Sequence, residues 1–168
     1  MTRGPSPGLR PFLPADARAL AALYSASIEE LTGEDYSEDQ RAAWASAADD
    51  VAGFAARLAA GLTLVALIDG RIAGFAALKE NNLFDMLYVR PDLARRGVGA
   101  ALADAIEKLA AGRGAKLLTV DASDSARDFF AARGYVPQSR NTIMLGGEWL
   151  GNTTMTKELA AAATGGPH

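Results

Sequence analysis

Cysteine is absent from this chain of 168 residues, and the single histidine is His168, the last residue. The first absence removes disulfides, thiol nucleophiles and thiolate metal sites together. The second leaves no imidazole that a fold would hold in place as a base, and no metal is expected. No apolar run approaches the roughly 18 residues that span a bilayer. Met1-Thr2-Arg3-Gly4-Pro5 lacks the apolar core of a secretory leader, so a cytoplasmic, non-membrane protein is expected. Basic residues are outnumbered, 17 against 20, for a net charge of −3. That balance argues against a nucleic-acid partner, whose binding is driven by a basic face.

What is present fits one well-cored domain. Apolar residues make up 49% and charged residues 22%, the composition of a globular chain too short for two comfortable domains. The domain is expected over 8–159, with 160–168 as a frayed, Ala-rich tail. Gly8 to Leu13 reads as a first strand. Asp16 stands where it would cap a helix carrying Ala19, Leu20, Leu23, Ile28 and Leu31 inward, to stop at Gly33. Ser37 opens a second helix through Trp44, and a further helical piece runs from Asp50 to Ala60.

The period then changes from helical to alternating. Leu62 to Ile68 and Ile72 to Leu78 are strands joined by Asp69-Gly70, a two-residue hairpin signal. Leu83 to Val89 follows as a third strand. The next helix presents Val98, Leu102, Ile106 and Leu109 on one face and stops near Gly112. Ala115 to Val120 is a strand; Ser123 or Asp124 caps a short helix bearing Ala126, Phe129 and Phe130 that ends at Arg133-Gly134; and Tyr135 to Leu145 with Trp149 to Lys157 is a closing hairpin around Gly146-Gly147. The order βααβββαβαββ is an α/β (α+β) mixture around one sheet.

One turn carries chemistry. Arg95-Arg96-Gly97-Val98-Gly99-Ala100 follows the strand ending Leu87-Tyr88-Val89 and leads into a helix. A helix start leaves about four N–H groups without intrahelical partners, and its dipole is worth about 0.3–1 kcal/mol to an exposed anion. Gly97 and Gly99 let a phosphate approach those amides. Arg95 and Arg96 add charge-assisted donors, each worth roughly 1.5–3 kcal/mol. A P-loop would need Gly-Lys-Ser/Thr, which is missing. A dinucleotide fingerprint would need Gly or Ala where Leu102 stands, in the first βαβ unit rather than past mid-chain.

The turn resembles motif A of the GNAT superfamily of N-acetyltransferases, written Arg/Gln-x-x-Gly-x-Gly/Ala after a Leu-x-Val strand and x-Pro. Leu87-Tyr88-Val89-Arg90-Pro91 and Gly97-Val98-Gly99 fit it; the leading Arg/Gln falls on Ala94. Asp121-Ala122-Ser123 through Ala126 to Gly134-Tyr135 is similar to the second block of the family, and the resemblance covers about Gly8 to Leu159. Tyr36-Ser37 through Trp44, Asp85-Met86-Leu87, Val120 to Ser123 and Gly147-x-Trp149 with Asn152 and Met155 are similar to its YafP-like branch. The resemblance implies direct transfer of acetyl from acetyl-CoA to an amine of a small molecule or peptide. It also implies cofactor seated between the fourth and fifth strands, against the backbone of Leu87, Tyr88 and Val89 and the turn from Arg95 to Ala100.

An ammonium must lose a proton before it attacks. Asp85 is the leading candidate base, with a structural role, as acceptor for a neighbouring backbone N–H or as a salt-bridge partner, the equal alternative; Glu80 and Asp121 are weaker. The Tyr that commonly protonates the leaving thiolate in the family falls on Phe130, which has no donor. Ser123 stands where the family often has Asn, as a pantetheine ligand or the N-cap of the following helix. Tyr36, Trp44 and Trp149 are candidates for the acceptor pocket, although Trp44 at helical spacing also reads as core. Glu148 and Asn152 stand near the same hairpin. A non-catalytic acyl-CoA sensor and a protein-modifying enzyme are the rival readings, and exposed strand edges allow a homodimer.

Overall fold

The computed structural model describes residues 6–160. The described chain runs β1 (Gly8–Pro11), α1 (Ala17–Leu31), α2 (Glu38–Ala45), α3 (Val51–Ala60), β2 (Leu62–Ile68), β3 (Arg71–Lys79) and β4 (Leu83–Val89). It continues through α4 (Val98–Gly112), β5 (Leu117–Ser123), α5 (Arg127–Ala132), β6 (Val136–Leu145) and β7 (Glu148–Glu158). The helical piece at 50–60 thus stands as a third helix before β2, where the expected order counted two. The frayed tail expected at 160–168 lies outside the described residues from position 161 onward.

Seven strands form one sheet in the order β1-β2-β3-β4-β5-β7-β6. Every neighbouring pair is antiparallel except β4 with β5. Two cores cover its faces. Val98, Leu102, Ile106 and Ala110 of α4 pack with Leu64, Ala76, Leu78, Leu118 and Phe130 on one face. Leu20, Tyr24 and Ile28 of α1 pack with Phe54 and Leu58 of α3, Val65, Phe75 and Met86 on the other. Leu109 is more than a third exposed, because at i+11 it has rotated off the buried stripe and Ala110 takes its place. Ala19 and Leu31 likewise face outward, while Tyr24 and Ser27 turn in.

Local chemistry explains the boundaries. The Ser37 hydroxyl accepts the Gln40 N–H at 3.1 Å and the Gln40 side chain accepts the Ser37 N–H at 2.9 Å, a reciprocal cap. Asp50 accepts the Gly53 N–H at 3.1 Å at the start of α3. Asp16 does not cap α1 as expected: its carboxylate turns back to the Leu13 N–H and the Arg10 guanidinium. Asp69 and Gly70 both take positive φ, 51° and 75°, the two-residue turn that their types favour. β1 is shorter than expected, and β5 starts and ends later, reaching Ser123.

Two features of β4 shape the site. Ala77 pairs with Met86 and the next residue, Leu78, with Phe84, which leaves Asp85 as the extra residue of a β-bulge. A bulge bends its strand and redirects side chains. Phe84, Leu87 and Val89 therefore share the α4 face while Met86 and Tyr88 point to the α1 face. On its other edge β4 pairs with β5 only at Leu83↔Thr119 and Phe84↔Val120. Beyond those pairs the strands part.

Candidate functional site

A cavity of about 770 Å³ occupies this split and continues between α1, α2 and the β6–β7 hairpin. The size is that of a small-molecule site. At one end lies the turn before α4. Arg95 and Gly97 both adopt left-handed backbone, φ 65° and 80°. Such residues rotate successive N–H groups into a concavity that suits an anion. Ala101 is the first residue of α4 whose N–H closes a bond, onto the Gly97 carbonyl at 3.0 Å. The N–H groups of Val98, Gly99 and Ala100 therefore have no acceptor behind them, and no side chain caps the end. A Cβ on Gly97 would meet no protein atom within 4 Å, whereas one on Gly99 would touch Phe129 and Val89.

Ala94, Arg95, Gly97, Gly99 and Ala100 line the cavity. Two residues expected there do not. Arg96 is exposed and lies outside the lining, and the Val98 side chain is buried in the core beneath α4, so only its N–H faces the turn. In the middle of the cavity, Leu87 and Val89 give their side chains to one core and Tyr88 to the other. The β4 backbone past Phe84 has no paired strand on its β5 side.

At the other end the bulge residue Asp85 meets Arg57 of α3. Arg57 Nη2 lies 3.1 Å from Oδ1 and Nε 3.3 Å from Oδ2. The Asp85 side chain is 15% exposed and that of Arg57 47%. Of the two roles weighed for Asp85, the ion pair is the one the geometry displays. Burial works against the charge of Arg57, but hydrogen bonding and attraction from Asp85 outweigh it and raise the guanidinium above its ordinary value. Burial pushes Tyr24 and Tyr88 up, and Tyr88 well above the ordinary phenol value with further help from the neighbouring Tyr24. Neither phenol is a base near neutral pH.

An aromatic wall faces this pair. Tyr24 and Tyr88 have ring centroids 4.6 Å apart, Trp44 meets Tyr88 edge-on at 6.4 Å, and Tyr36 meets Trp44 at 5.4 Å. Tyr36 and Trp44 both line the cavity. The Tyr36 hydroxyl donates to the Gly151 carbonyl at 2.6 Å and accepts the Asp124 N–H at 2.8 Å, tying the loop after α1 to β7 and to the end of β5. Trp149 is placed otherwise than expected. It is 59% exposed and absent from the lining, because neighbouring Leu150 takes the inward position on β7. Its carbonyl accepts from the Gln40 side chain at 2.8 Å.

Ser123 lines the cavity where β5 ends, and its Oγ accepts the Ala126 N–H at 3.2 Å. That bond fills a lone pair and leaves the hydroxyl proton available. Phe130 is 3% exposed, packed edge-on against Phe84, Phe129 and Tyr135. It touches the cavity as an apolar floor. Asp121 and Asn152 line the cavity; Glu80, in a turn at φ 52°, and Glu148 do not. Arg57 and Tyr24 were not anticipated. The signal for Arg57 was its place between Phe54 and Leu58, a cation beside the buried stripe of an apolar helix. Among the described residues no group of three or more His, Cys, Asp or Glu is arranged to hold a metal, and no helix is long and apolar enough to cross a membrane.

Comparison with known proteins places these features in a family. The model of the acetyltransferase (GNAT) domain matches residues 32–159. YafP of Escherichia coli K12, described as an uncharacterized N-acetyltransferase, is 31% identical over 147 residues, covering 88% of this chain and 93% of that protein. A GCN5-related N-acetyltransferase from Rhodopseudomonas palustris superposes with a TM-score of 0.92 at 59% identity, over 95% of this chain and 99% of that one. The PaiA N-acetyltransferase of Thermoplasma acidophilum, solved with coenzyme A, shares the fold at a TM-score of 0.76 and 19% identity, over 92% and 99% of the two chains.

Proposed function

The chain belongs to the GNAT acetyltransferase family, and on that premise we propose that it transfers acetyl from acetyl-CoA to a primary amine by direct attack. The amine belongs to a small molecule or to an exposed amino group. One observation carries the proposal: a single cavity joins the uncapped amides of α4, the free edge of β4 and an aromatic wall with carboxylates. The residues fit the cofactor. The open space before Gly97 and the free N–H groups of 98–100 suit a pyrophosphate, and Arg95 adds a cation. The β4 edge past Phe84 suits the pantetheine amides.

Bound acetyl-CoA supplies an activated thioester, and the rest of the work falls to this chain. Asp85 and Asp121 are the cavity carboxylates on offer to an ammonium. Ser123, with its proton unspent, stands in for the donor that Phe130 lacks. A thiolate leaves tolerably even with slow protonation, because a thiol pKa is about 8.5. Release of coenzyme A thiol in the presence of an amine panel tests the proposal. Binding of coenzyme A without turnover on any amine would overturn it.

The absence of a donor at Phe130 favours a second reading, a non-catalytic acyl-CoA-binding module. Phe130→Tyr decides between the two. A gain from measurable wild-type turnover supports the enzyme, and no turnover in either protein supports the module. Acetylation of a protein amine in preference to every small amine would place the acceptor among macromolecules.

A further inference from the structure

We infer that Asp121, not Asp85, receives the ammonium of the acceptor, and that this acceptor is a primary amine on an apolar or aromatic body without a carboxylate. The inference rests on the acetyl-transfer reading of the cavity. β4 and β5 are in parallel register at Leu83↔Thr119 and Phe84↔Val120, after which they separate. The next residue on each strand is an aspartate, so Asp85 and Asp121 flank the fork itself.

The two carboxylates differ in engagement. Both oxygens of Asp85 are held by Arg57, and an incoming ammonium would have to displace a guanidinium. Asp121 makes one bond: its Oδ1 accepts the Thr154 hydroxyl at 2.7 Å. Its Oδ2 has no protein partner among the described residues. β5 buries Leu118, Val120 and Ala122, so Asp121 points from the opposite face. There it lines the cavity and still reaches solvent, which gives a departing proton an exit.

Its orientation is fixed from behind. Asn141 Nδ2 donates to Thr154 Oγ1 at 2.7 Å and to Asn152 Oδ1 at 2.9 Å. Thr154 already accepts a proton there, so its own hydroxyl proton is directed to Asp121. The chain Asn141, Thr154, Asp121 makes Thr154 a positioning residue.

Charge and shape define the acceptor. Four ionisable side chains of Asp, Arg, Glu or Lys type line the cavity: Arg57, Asp85, Arg95 and Asp121. Arg57 and Asp85 neutralise each other, and Arg95 belongs to the phosphate end. Asp121 is the one uncompensated charge at the amine end. The surrounding lining includes Ile28, Leu31, Trp44, Ile143 and Leu150, with Ser27, Thr32, Tyr36, Ser125 and Asn152 as uncharged polar groups between them. A carboxylate on the acceptor would meet Asp121 with no free cation, and a second ammonium would find no unpaired carboxylate in the lining. In the reaction, the ammonium loses one proton through Asp121 to solvent, and the nitrogen lone pair then forms the N–C bond. The C–S bond breaks with its electron pair on sulfur, Ser123 protonates the thiolate, and the nitrogen's second departing proton replaces the one that Ser123 gave.

The test uses the full chain with phenethylamine, phenylalanine and spermidine, read as coenzyme A thiol release. Phenethylamine is expected to exceed each of the others at least tenfold in kcat/KM. Asp121→Asn is expected to lower its kcat/KM at least 30-fold while acetyl-CoA affinity, by calorimetry, stays within twofold. Thr154→Val is expected to cost three- to tenfold, and Thr154→Ser to restore it. Calorimetry of phenethylamine on the coenzyme A-bound protein gives a second readout: binding lost in Asp121→Asn supports the inference. Phenylalanine equalling phenethylamine, Asp121→Asn within threefold of wild type, or no phenethylamine binding at all would overturn it. Coenzyme A binding reports separately on the cofactor reading.

Discussion

Replacing Gly97 by alanine should separate two costs that the turn before α4 combines. The residue stands at φ 80°, in the left-handed region, where an L side chain costs roughly 1–2 kcal/mol. No clash adds to that, because the new Cβ would find no protein atom within 4 Å. A loss of about 1–2 kcal/mol in a domain of this size lowers Tm by roughly 2–8 °C. The open space before Gly97 belongs to the cavity, so the methyl also stands where a phosphate would approach the free amides. Losing one charge-assisted N–H bond there costs about 1.5–3 kcal/mol, or roughly 10- to 100-fold in coenzyme A affinity. Gly114 supplies the control. It has φ 95° and equally open surroundings, but lies past the far end of α4. Gly114→Ala should show the same thermal shift with unchanged coenzyme A affinity. Calorimetric titration and thermal melts of both variants check this; equal affinity in wild type and Gly97→Ala would refute the assigned phosphate turn.

Other perturbations follow from particular contacts. Glu107 of α4 is buried and accepts from Lys157 at 2.8 Å, Arg133 at 3.2 Å and the Tyr135 hydroxyl at 3.0 Å. Glu107→Gln leaves two cations short of a partner and should cost about 2–4 kcal/mol in urea unfolding. Burial alone would raise the Glu107 pKa, but the three donors reverse that and hold it below its ordinary 4.5. With the folded value below the unfolded one, its stabilisation is complete above pH 4.5 and is lost as pH falls through the folded value. Wild type should therefore weaken in acid more steeply than Glu107→Gln in melts from pH 7 down to about pH 3. Tyr36→Phe removes the bonds to the Gly151 carbonyl and the Asp124 N–H. It should cost about 1–3 kcal/mol and raise the KM for amine while leaving that for acetyl-CoA. Asp85→Asn and Arg57→Gln should each lower kcat/KM several-fold, and the double variant should be no worse than the single ones, because the two groups act as one pair.

Most of the fold was legible because local and global signals agree. Asp69-Gly70 demanded a tight hairpin and formed one, and Ser37 with Gln40 closed a reciprocal cap. Val98, Leu102 and Ile106 kept their stripe until the 3.6-residue period carried Leu109 off it. The departures have physical causes. Asp16 had the right residue type for a cap, but Arg10, six residues back and on another element, claimed its carboxylate. Trp149 and Leu150 are both apolar, and alternation alone does not say which of two neighbours faces in. The pairing of β7 with β5 and β6 settles that.

The turn proposed to hold phosphate was readable in one dimension because its parts are consecutive backbone groups, and glycine spacing encodes where they point. The amine end is different in kind. Its parts come from α1, α2, α3, β4, β5, β6 and β7, and they meet around the fork of β4 and β5. The decisive event there is a single unpaired residue: the bulge at Asp85. Without it, strict alternation would send Phe84 to the face of Met86 and Tyr88, and Asp85 to that of Leu87 and Val89, against the apolar core of α4. With it, Phe84 fills that core beside Phe130, and the carboxylate is released toward Arg57. A β-bulge depends on pairing with β3 and leaves no mark in the sequence of β4 alone. At the same level of β4 the pairing with β5 ends, after Phe84↔Val120. On the inference drawn above, the residue that looked like the base from the sequence yields that task to its neighbour across the fork.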